Sequence, residues 1–235
     1  AETSLANKSA RFKFKGVSSH AAAAPERGRS ALDGVEAMNY MVNMMREHVP
    51  QETRIHYVIT RGGEAPNVVP DFAEVYYYVR HPQAEKLQQL WKRVIDISSA
   101  AALGTGTDVE VEVMHGNHSL LPNEKLARQM HANLTRVGGI RYNAAEQAFA
   151  EEISGSLGVG NFIGSWQAIA AGGTSIGTKG MRVAAKALSL TARDLLLDPA
   201  LIEAGRREFD RRRGENFHYE ALLGDREPPL DYRVK

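Results

Sequence analysis

The order of hydrophobic patterns in the first half of the chain constrains the fold more than any other feature of this sequence. Four segments alternate apolar and polar residues, and each alternation predicts a strand: 11–17, 54–63, 72–81 and 108–116. Two further segments, 30–47 and 84–103, repeat apolar residues at helical spacing, and each predicts an amphipathic helix. The order β-α-β-β-α-β predicts a ferredoxin-like domain, in which two helices cover one face of a four-stranded antiparallel sheet.

The second half of the chain predicts helices and no strand. Proline and glycine delimit the helical segments, which cover 122–139, 144–153, 178–198 and 199–214. The glycine-rich stretch SGSLGVGNFIGSW interrupts them and predicts a linker, and the tail DREPPLDYRVK predicts extended chain. The sequence therefore predicts an α+β protein with two domains, residues 1–117 and residues 118–235, the second mostly helical.

The later helices carry apolar stripes that need a surface to cover them. These stripe residues are Leu126, Met130, Leu134, Val183, Leu188, Leu195 and Leu196. The helices can pair with one another as a small bundle, or they can leave an apolar patch exposed. The sequence leaves both arrangements open.

Composition excludes several classes of partner and site. The formal net charge of +1 gives no electrostatic reason to expect nucleic acid or an anionic membrane surface. The chain has no cysteine, which rules out disulfides and thiolate metal sites and fits a reducing compartment. No apolar run is long enough to span a membrane, and the polar start AETSLANKSA lacks the pattern of a signal peptide. We therefore expect a cytoplasmic location.

Three polar residues stand where the chain changes structure. His20 follows the first predicted strand, Asn67 lies in the turn GGEAPNVVPD, and Arg80 ends the third predicted strand. An imidazole, an amide and a guanidinium are the groups that hold a carboxylate and polarise a carbonyl. Each also has an ordinary structural explanation, because histidine and asparagine are common in turns and arginine is common on solvated strand ends.

Three segments resemble a known family: GVSSHAAAAPERGRSALDG, GGEAPNVVPDFAEVYYYVR and GGTSIGTKGMRVAAKAL. They are similar to the metal-dependent amidohydrolases that include aminoacylases, glutamate carboxypeptidases and aminobenzoyl-glutamate hydrolases. Within that family they most resemble the B subunits of aminobenzoyl-glutamate hydrolase. The resemblance implies that the ferredoxin-like block is a lid and dimerisation domain inserted into a catalytic domain with two zinc ions.

The resemblance also implies a role for each of the three polar residues and indicates which partner the chain binds. His20 is the match to the lid histidine that reaches the active site of the partner subunit and steadies the scissile carbonyl. Asn67 and Arg80 match the residues that bind the carboxylate of the amino-acid half of a small N-acyl or N-aroyl amino acid. The lid implies a homodimer, or a heterodimer with a related subunit, formed through helices and an edge strand.

The sequence departs from the family at its metal ligands. The ligands that precede the lid are absent, and Gly164-Ser165-Trp166 stands where the family has a further zinc histidine. The pair Glu151-Glu152 lies in the wrong place for the catalytic pair and predicts a solvated helix, and the spacing of His115 and His118 is only a weak metal signal. We therefore predict no metal site and no cofactor in this chain, although the family uses zinc.

Three functions remain open at this point. The chain is the lid and dimerisation portion of an amidohydrolase and is inactive by itself, or its zinc site is completed by segments or a partner chain outside this sequence. The third possibility is a pure interaction module. Nucleic-acid binding through Tyr76, Tyr77 and Tyr78 is disfavoured, because successive strand residues face opposite sides and core packing accounts for them.

Overall fold

The computed structural model describes residues 3–156 and 165–224, which form two compact units. The sheet unit comprises residues 3–120 together with 218–224, and the helical unit comprises residues 121–217 apart from the gap. The predicted domain ranges, 1–117 and 118–235, remain a prediction, and these units differ from them by including 118–120 and 218–224 with the sheet. Within the described residues, no helix is both long enough and apolar enough to cross a membrane.

The sheet unit has the predicted ferredoxin-like order of elements, so the predicted α+β fold is confirmed. Its elements are β1 (Ala6–Lys15), α1 (Ala31–Met45), β2 (Arg54–Arg61), β3 (Phe72–His81), α2 (Ala84–Thr105) and β4 (Asp108–Asn117). The strands pair antiparallel in the order β2-β3-β1-β4. Strand β1 begins five residues before the predicted start, because small buried residues such as Ala6 and Ser9 give no apolar alternation.

The core of this unit lies between the sheet and its two helices. Phe12 packs edge-on against Tyr77, with ring centroids 5.7 Å apart, and also contacts Trp91 of α2. The Tyr77 hydroxyl donates a hydrogen bond to Asn39 of α1, and burial raises the pKa of that hydroxyl. Helix α1 approaches the sheet so closely at Gly34 that a Cβ atom there would lie 2.4 Å from Phe14.

The opposite face of the sheet carries ion pairs and two tyrosines. Lys13 lies 2.9 Å from Glu112, and Arg11 lies 3.0 Å from Glu74. Tyr76 and Tyr78 are half-buried on this face, with ring centroids 5.4 Å apart. The expectation of core packing for the tyrosine run therefore holds for Tyr77 alone, because its neighbours point away from the helices.

The helical unit contains five described helices. They are α3 (Glu124–Val137), α4 (Ala144–Ser156), α5 (Trp166–Gly172), α6 (Ser175–Leu197) and α7 (Pro199–Arg213). Helix α3 packs on α6 and α7, and α6 also contacts α5 and α7, so the helices pair with one another. Helix α5 was not predicted. Most of the predicted linker and the predicted extended tail, residues 157–164 and 225–235, lie outside the described residues.

The segment 218–224 packs on the sheet unit at the end of β4. Leu222 is only 4% exposed and joins the core cluster of the sheet unit. A Cβ atom at Gly116 would lie 2.7 Å from the carbonyl carbon of Leu222, so only glycine leaves room for the segment. The carbonyl oxygen of Glu220 lies 2.8 Å from Nε2 of His118, which adds a polar contact to the apolar one.

Candidate functional site

His20 and Asn67 lie side by side at one end of the sheet. After β1 the chain runs alongside the loop 62–71, and two backbone hydrogen bonds join the two segments. Val69 N–H donates to the Ser19 carbonyl at 2.9 Å, and Ala21 N–H donates to the Asn67 carbonyl at 3.0 Å. His20 and Val68 form an isolated antiparallel bridge between these hydrogen bonds. The backbone thus fixes the segment that bears His20 against the loop that bears Asn67.

The loop that carries Asn67 is stiffened by its own sequence. Pro66 and Pro70 each fix a backbone angle, and Val68 N–H donates to the Ala65 carbonyl at 3.2 Å. Gly63 has a φ of 109°, which other residues rarely adopt. The loop is also tied to α1, because Ala31 N–H donates to the Pro70 carbonyl at 2.8 Å. Asn67 therefore sits on a supported loop.

The imidazole of His20 is exposed, and one of its nitrogens is fully engaged. Nδ1 lies 3.2 Å from the amide nitrogen of Ala22 and 3.1 Å from that of Ala23. Both backbone groups are donors, so Nδ1 accepts from both. The second ring nitrogen, Nε2, has no hydrogen-bond partner among the described residues.

Arg80 lies at the opposite end of the sheet from His20 and Asn67. In the strand register Phe72 pairs with Lys15, whereas Arg80 pairs with Asn7 of β1 and Arg54 of β2. Eight residue steps along β3 separate the two ends, which corresponds to about 27 Å. The Arg80 guanidinium lies over the Tyr78 ring, 5.1 Å from its centroid. The structure thus brings together two of the three predicted site residues and separates the third.

The described residues offer no ligand set for a metal centre. Among them, no three side chains of histidine, cysteine, aspartate or glutamate come together. His118 Nε2–H donates to the Glu220 carbonyl, and His115 lies beside the Tyr78 ring with centroids 6.0 Å apart. A dinuclear zinc site needs several oxygen and nitrogen ligands on rigid elements, and these residues do not fit that requirement.

The prediction for Glu151 and Glu152 is confirmed. Both side chains are exposed on α4, where Gln147 donates to the Glu151 carboxylate at 2.8 Å. This contact is an ordinary i, i+4 pair on a solvated helix face. The pair therefore lies on a surface and not in a cavity.

Sequence reasoning missed the groups that hold His20 in place. They are backbone amides of the alanine run, and a backbone N–H is present at every residue except proline, so no residue type marks them. The one available signal was the run itself, which places four small residues and no proline directly after His20.

Comparison with known proteins identifies the sheet unit. Residues 6–105 match the family model described as a peptidase dimerisation domain. These residues are an M20 peptidase dimerisation domain. The chain is 31% identical to the B subunit of p-aminobenzoyl-glutamate hydrolase from Escherichia coli over 87% of this chain, and 33% identical to Xaa-Arg dipeptidase of Mus musculus over 84%. The predicted resemblance to the amidohydrolase family is therefore confirmed.

Solved structures agree with the fold. An aminobenzoyl-glutamate utilization protein from Klebsiella pneumoniae matches with a TM-score of 0.51 and 22% identity, over 58% of this chain and 35% of that one. The chain spans only about half the length of the curated relatives it matches, 57% of the Escherichia coli protein and 50% of the mouse protein. The dimerisation domain is thus present here without the full length of those relatives.

Proposed function

We propose that this chain is the lid and dimerisation portion of an amidohydrolase that cleaves N-acyl or N-aroyl amino acids of the aminobenzoyl-glutamate type. The match of residues 6–105 to a peptidase dimerisation domain carries the proposal. The names of the relatives, a p-aminobenzoyl-glutamate hydrolase subunit and a dipeptidase that acts on Xaa-Arg, support the substrate class. The absence of cysteine supports a cytoplasmic location.

The separation of Arg80 from His20 gives the site a specific form. A small amino-acid derivative cannot touch groups about 27 Å apart, so one protomer cannot supply all three residues to one substrate. In a dimer, each substrate site contains His20 and Asn67 of one protomer and Arg80 of the other. In that site His20 donates to the scissile carbonyl oxygen, and Asn67 and Arg80 hold the substrate carboxylate.

The dimer forms through α1 and the edge strand β2, which are adjacent and carry exposed apolar side chains. Arg46 at the end of α1 donates to the Ile55 carbonyl of β2 and so links the two elements. Exposed residues here are Tyr40, Met44, Tyr57, Val58 and Ile59. An unpaired strand edge beside an apolar helix face favours pairing with a second copy.

Metal chemistry and the attacking water belong to polypeptide outside the described residues, in further segments or in a related partner subunit. We therefore expect the chain alone to bind no stoichiometric zinc and to release no aminobenzoate from aminobenzoyl-glutamate. Zinc analysis and a hydrolysis assay test this directly. Turnover together with stoichiometric zinc would contradict the proposal.

Association is the decisive test of the dimerisation function. We expect sedimentation equilibrium to show a dimer at micromolar concentration, and Tyr40→Glu to weaken it at least about tenfold by placing a charge in the interface. Leu103→Glu is the matched control, because Leu103 is 86% exposed on α2, away from β2. A monomeric wild type, or equal effects of the two variants, would contradict the proposed interface.

A pure interaction module is the second candidate. The many exposed apolar side chains of the helical unit, such as Ile169 and Leu196, favour it, because such surfaces mark protein contacts. The two candidates differ in one measurement. Restored hydrolysis on mixing with a related subunit supports the lid, whereas binding without hydrolysis supports the module.

A further inference from the structure

We propose that the backbone amides of Ala22 and Ala23 lock His20 in the Nε2–H tautomer, so that this side chain presents a hydrogen-bond donor and no lone pair to its ligand. The nature of the ligand, a carbonyl or carboxylate oxygen, rests on the proposed function. The tautomer itself rests only on contacts within the sheet unit.

The contacts at Nδ1 decide the tautomer. A neutral imidazole has one nitrogen that carries a proton and one that accepts. Nδ1 faces two N–H donors at 3.2 and 3.1 Å, so it is the acceptor and the proton lies on Nε2. A proton on Nδ1 would face both N–H donors, and each amide would lose its acceptor within the turn.

The rest of the alanine run accounts for why these two amides are available. Ala21 N–H donates to the Asn67 carbonyl, and Ala24 N–H donates to the carbonyl of His20 itself at 3.1 Å. The N–H groups of Ala22 and Ala23 lie within this turn and point at the ring. All four alanine amides are thus engaged, and proline enters only at residue 25, where the N–H is no longer needed.

Alanine side chains also leave the ring uncovered. Ala22 and Ala23 are exposed and end at Cβ, so they place neither a competing polar group nor bulk over the imidazole. The segment therefore fixes the orientation of the ring from one side and leaves its Nε2 edge open.

The locked tautomer excludes one role for His20 and favours another. A metal ion on Nε2 needs the lone pair there, which would force the proton onto Nδ1 and break both amide contacts. An oxygen acceptor fits without any change. His20 is thus an orienting donor, and Ala22 and Ala23 are positioning residues that act through it.

Nitrogen NMR of the full chain tests the tautomer. With ¹⁵N-labelled histidine and alanine, two-bond proton–nitrogen correlations at mildly alkaline pH show which ring nitrogen carries the proton, and His20→Gln identifies the signal by its loss. We expect a single Nε2–H form for His20, and ¹⁵N–¹⁵N coupling across the hydrogen bonds from Ala22 and Ala23 to Nδ1. A proton on Nδ1, or the absence of both couplings, would overturn the inference.

A pair of variants distinguishes the tautomer imposed by the Ala22 and Ala23 amides from the tautomer that a free imidazole prefers. Ala23→Pro removes one donor, whereas Ala23→Gly keeps it. We expect tautomer averaging to increase in the proline variant and to stay as in wild type in the glycine variant, and equal spectra would overturn the inference. If the proline variant does not fold, the couplings in wild type decide.

Zinc titration supplies a readout that is independent of catalysis. We expect added zinc to leave the His20 signals unchanged, and a shift of those signals on binding would contradict the lock. Neither spectrum depends on hydrolysis or on dimerisation. The proposed function can therefore fail while the tautomer holds, and the tautomer can fail in a protein that still dimerises.

Discussion

The two units of this chain use buried residues in different ways. Among the described residues, every buried hydrophobic side chain belongs to the sheet unit except Ile153 and Ala187. In the helical unit, polar side chains make several of the contacts between helices. Asp194 of α6 accepts hydrogen bonds from Asn133 and Gln129 of α3, both at 2.7 Å.

A second polar junction shows the same pattern. The Glu208 carboxylate of α7 accepts hydrogen bonds from the amides of Glu124 and Lys125, at 2.9 and 2.8 Å, and so caps the start of α3. The comparison teaches that the sheet unit carries its own core, whereas the helices present apolar faces that the described residues leave largely exposed. We therefore expect the two units to respond separately to perturbation.

The largest effect is expected from the core of the sheet unit. Phe12→Ala should lower the free energy of unfolding of this unit by about 3–5 kcal/mol, because it empties a fully buried ring site. Urea unfolding of a Trp166→Phe background, in which Trp91 is the remaining tryptophan, measures it. Phe209→Ala, on the half-exposed face of α7, should leave that transition unchanged.

The next effect tests whether 218–224 belongs to the sheet unit. Leu222→Ala should destabilise this unit by about 2–3 kcal/mol, because Leu222 is buried in its core. Leu223→Ala is the matched control, since Leu223 is 38% exposed, and should change stability by less than about 1 kcal/mol. The same Trp91 fluorescence measures both variants. Equal losses of stability would show that the segment 218–224 is not part of the sheet unit.

Acid should unfold the helical unit first. The Lys179 ammonium at 2.5 Å, with the Ser175 hydroxyl and the Asn143 amide, lowers the pKa of Glu146 to about 2. The folded state thus binds fewer protons here, so this stabilisation is complete above the ordinary carboxyl pKa and is lost as pH falls toward about 2. Hydrogen bonds from Asn133 and Gln129 lower the pKa of Asp194 in the same direction.

Far-UV circular dichroism during acid titration in the Trp166→Phe background measures this loss, with Trp91 fluorescence as the signal for the sheet unit. Glu146→Gln should flatten the acid dependence of the helical signal, while Glu151→Gln on the exposed face of the same helix should not. Simultaneous loss of both signals would contradict the separation of the two units.

The smallest effect concerns the exposed apolar face. Leu196→Glu should change stability by less than about 0.5 kcal/mol, because the side chain is 80% exposed, and should reduce binding of a hydrophobic dye. Ala187→Glu is the contrasting control, because that site is buried and a charge there should destabilise α6 strongly. A large loss for Leu196→Glu would show that this face is covered.

Sequence patterns predicted the sheet unit well because its strands and helices have clear periods. The bounds of β3 and the start of α2 follow from Pro82 and from the change of period around it. The start of β1 was missed, since the apolar alternation begins only at Phe12. Helix α5 was missed as well, because its short sequence WQAIAAG lies between glycine-rich segments.

The candidate site was only partly predictable. Residue types pointed to His20, Asn67 and Arg80, but their grouping depends on strand length and register. Ten residues of β3 separate the Asn67 loop from the strand end, which already implied that Arg80 lies far from it. The amides that hold His20 carry no side-chain signature, so only the backbone path reveals them.

The return of residues 218–224 to the sheet has a consequence for synthesis. All strands and both helices of this unit have been synthesised when β4 is complete, yet Leu222 is added only about a hundred residues later. Until then, the recess beside Gly116 is open, and the core of the sheet unit lacks its contact with Leu222. The order of translation thus delays completion of the core of this unit, although all its strands and helices are synthesised much earlier.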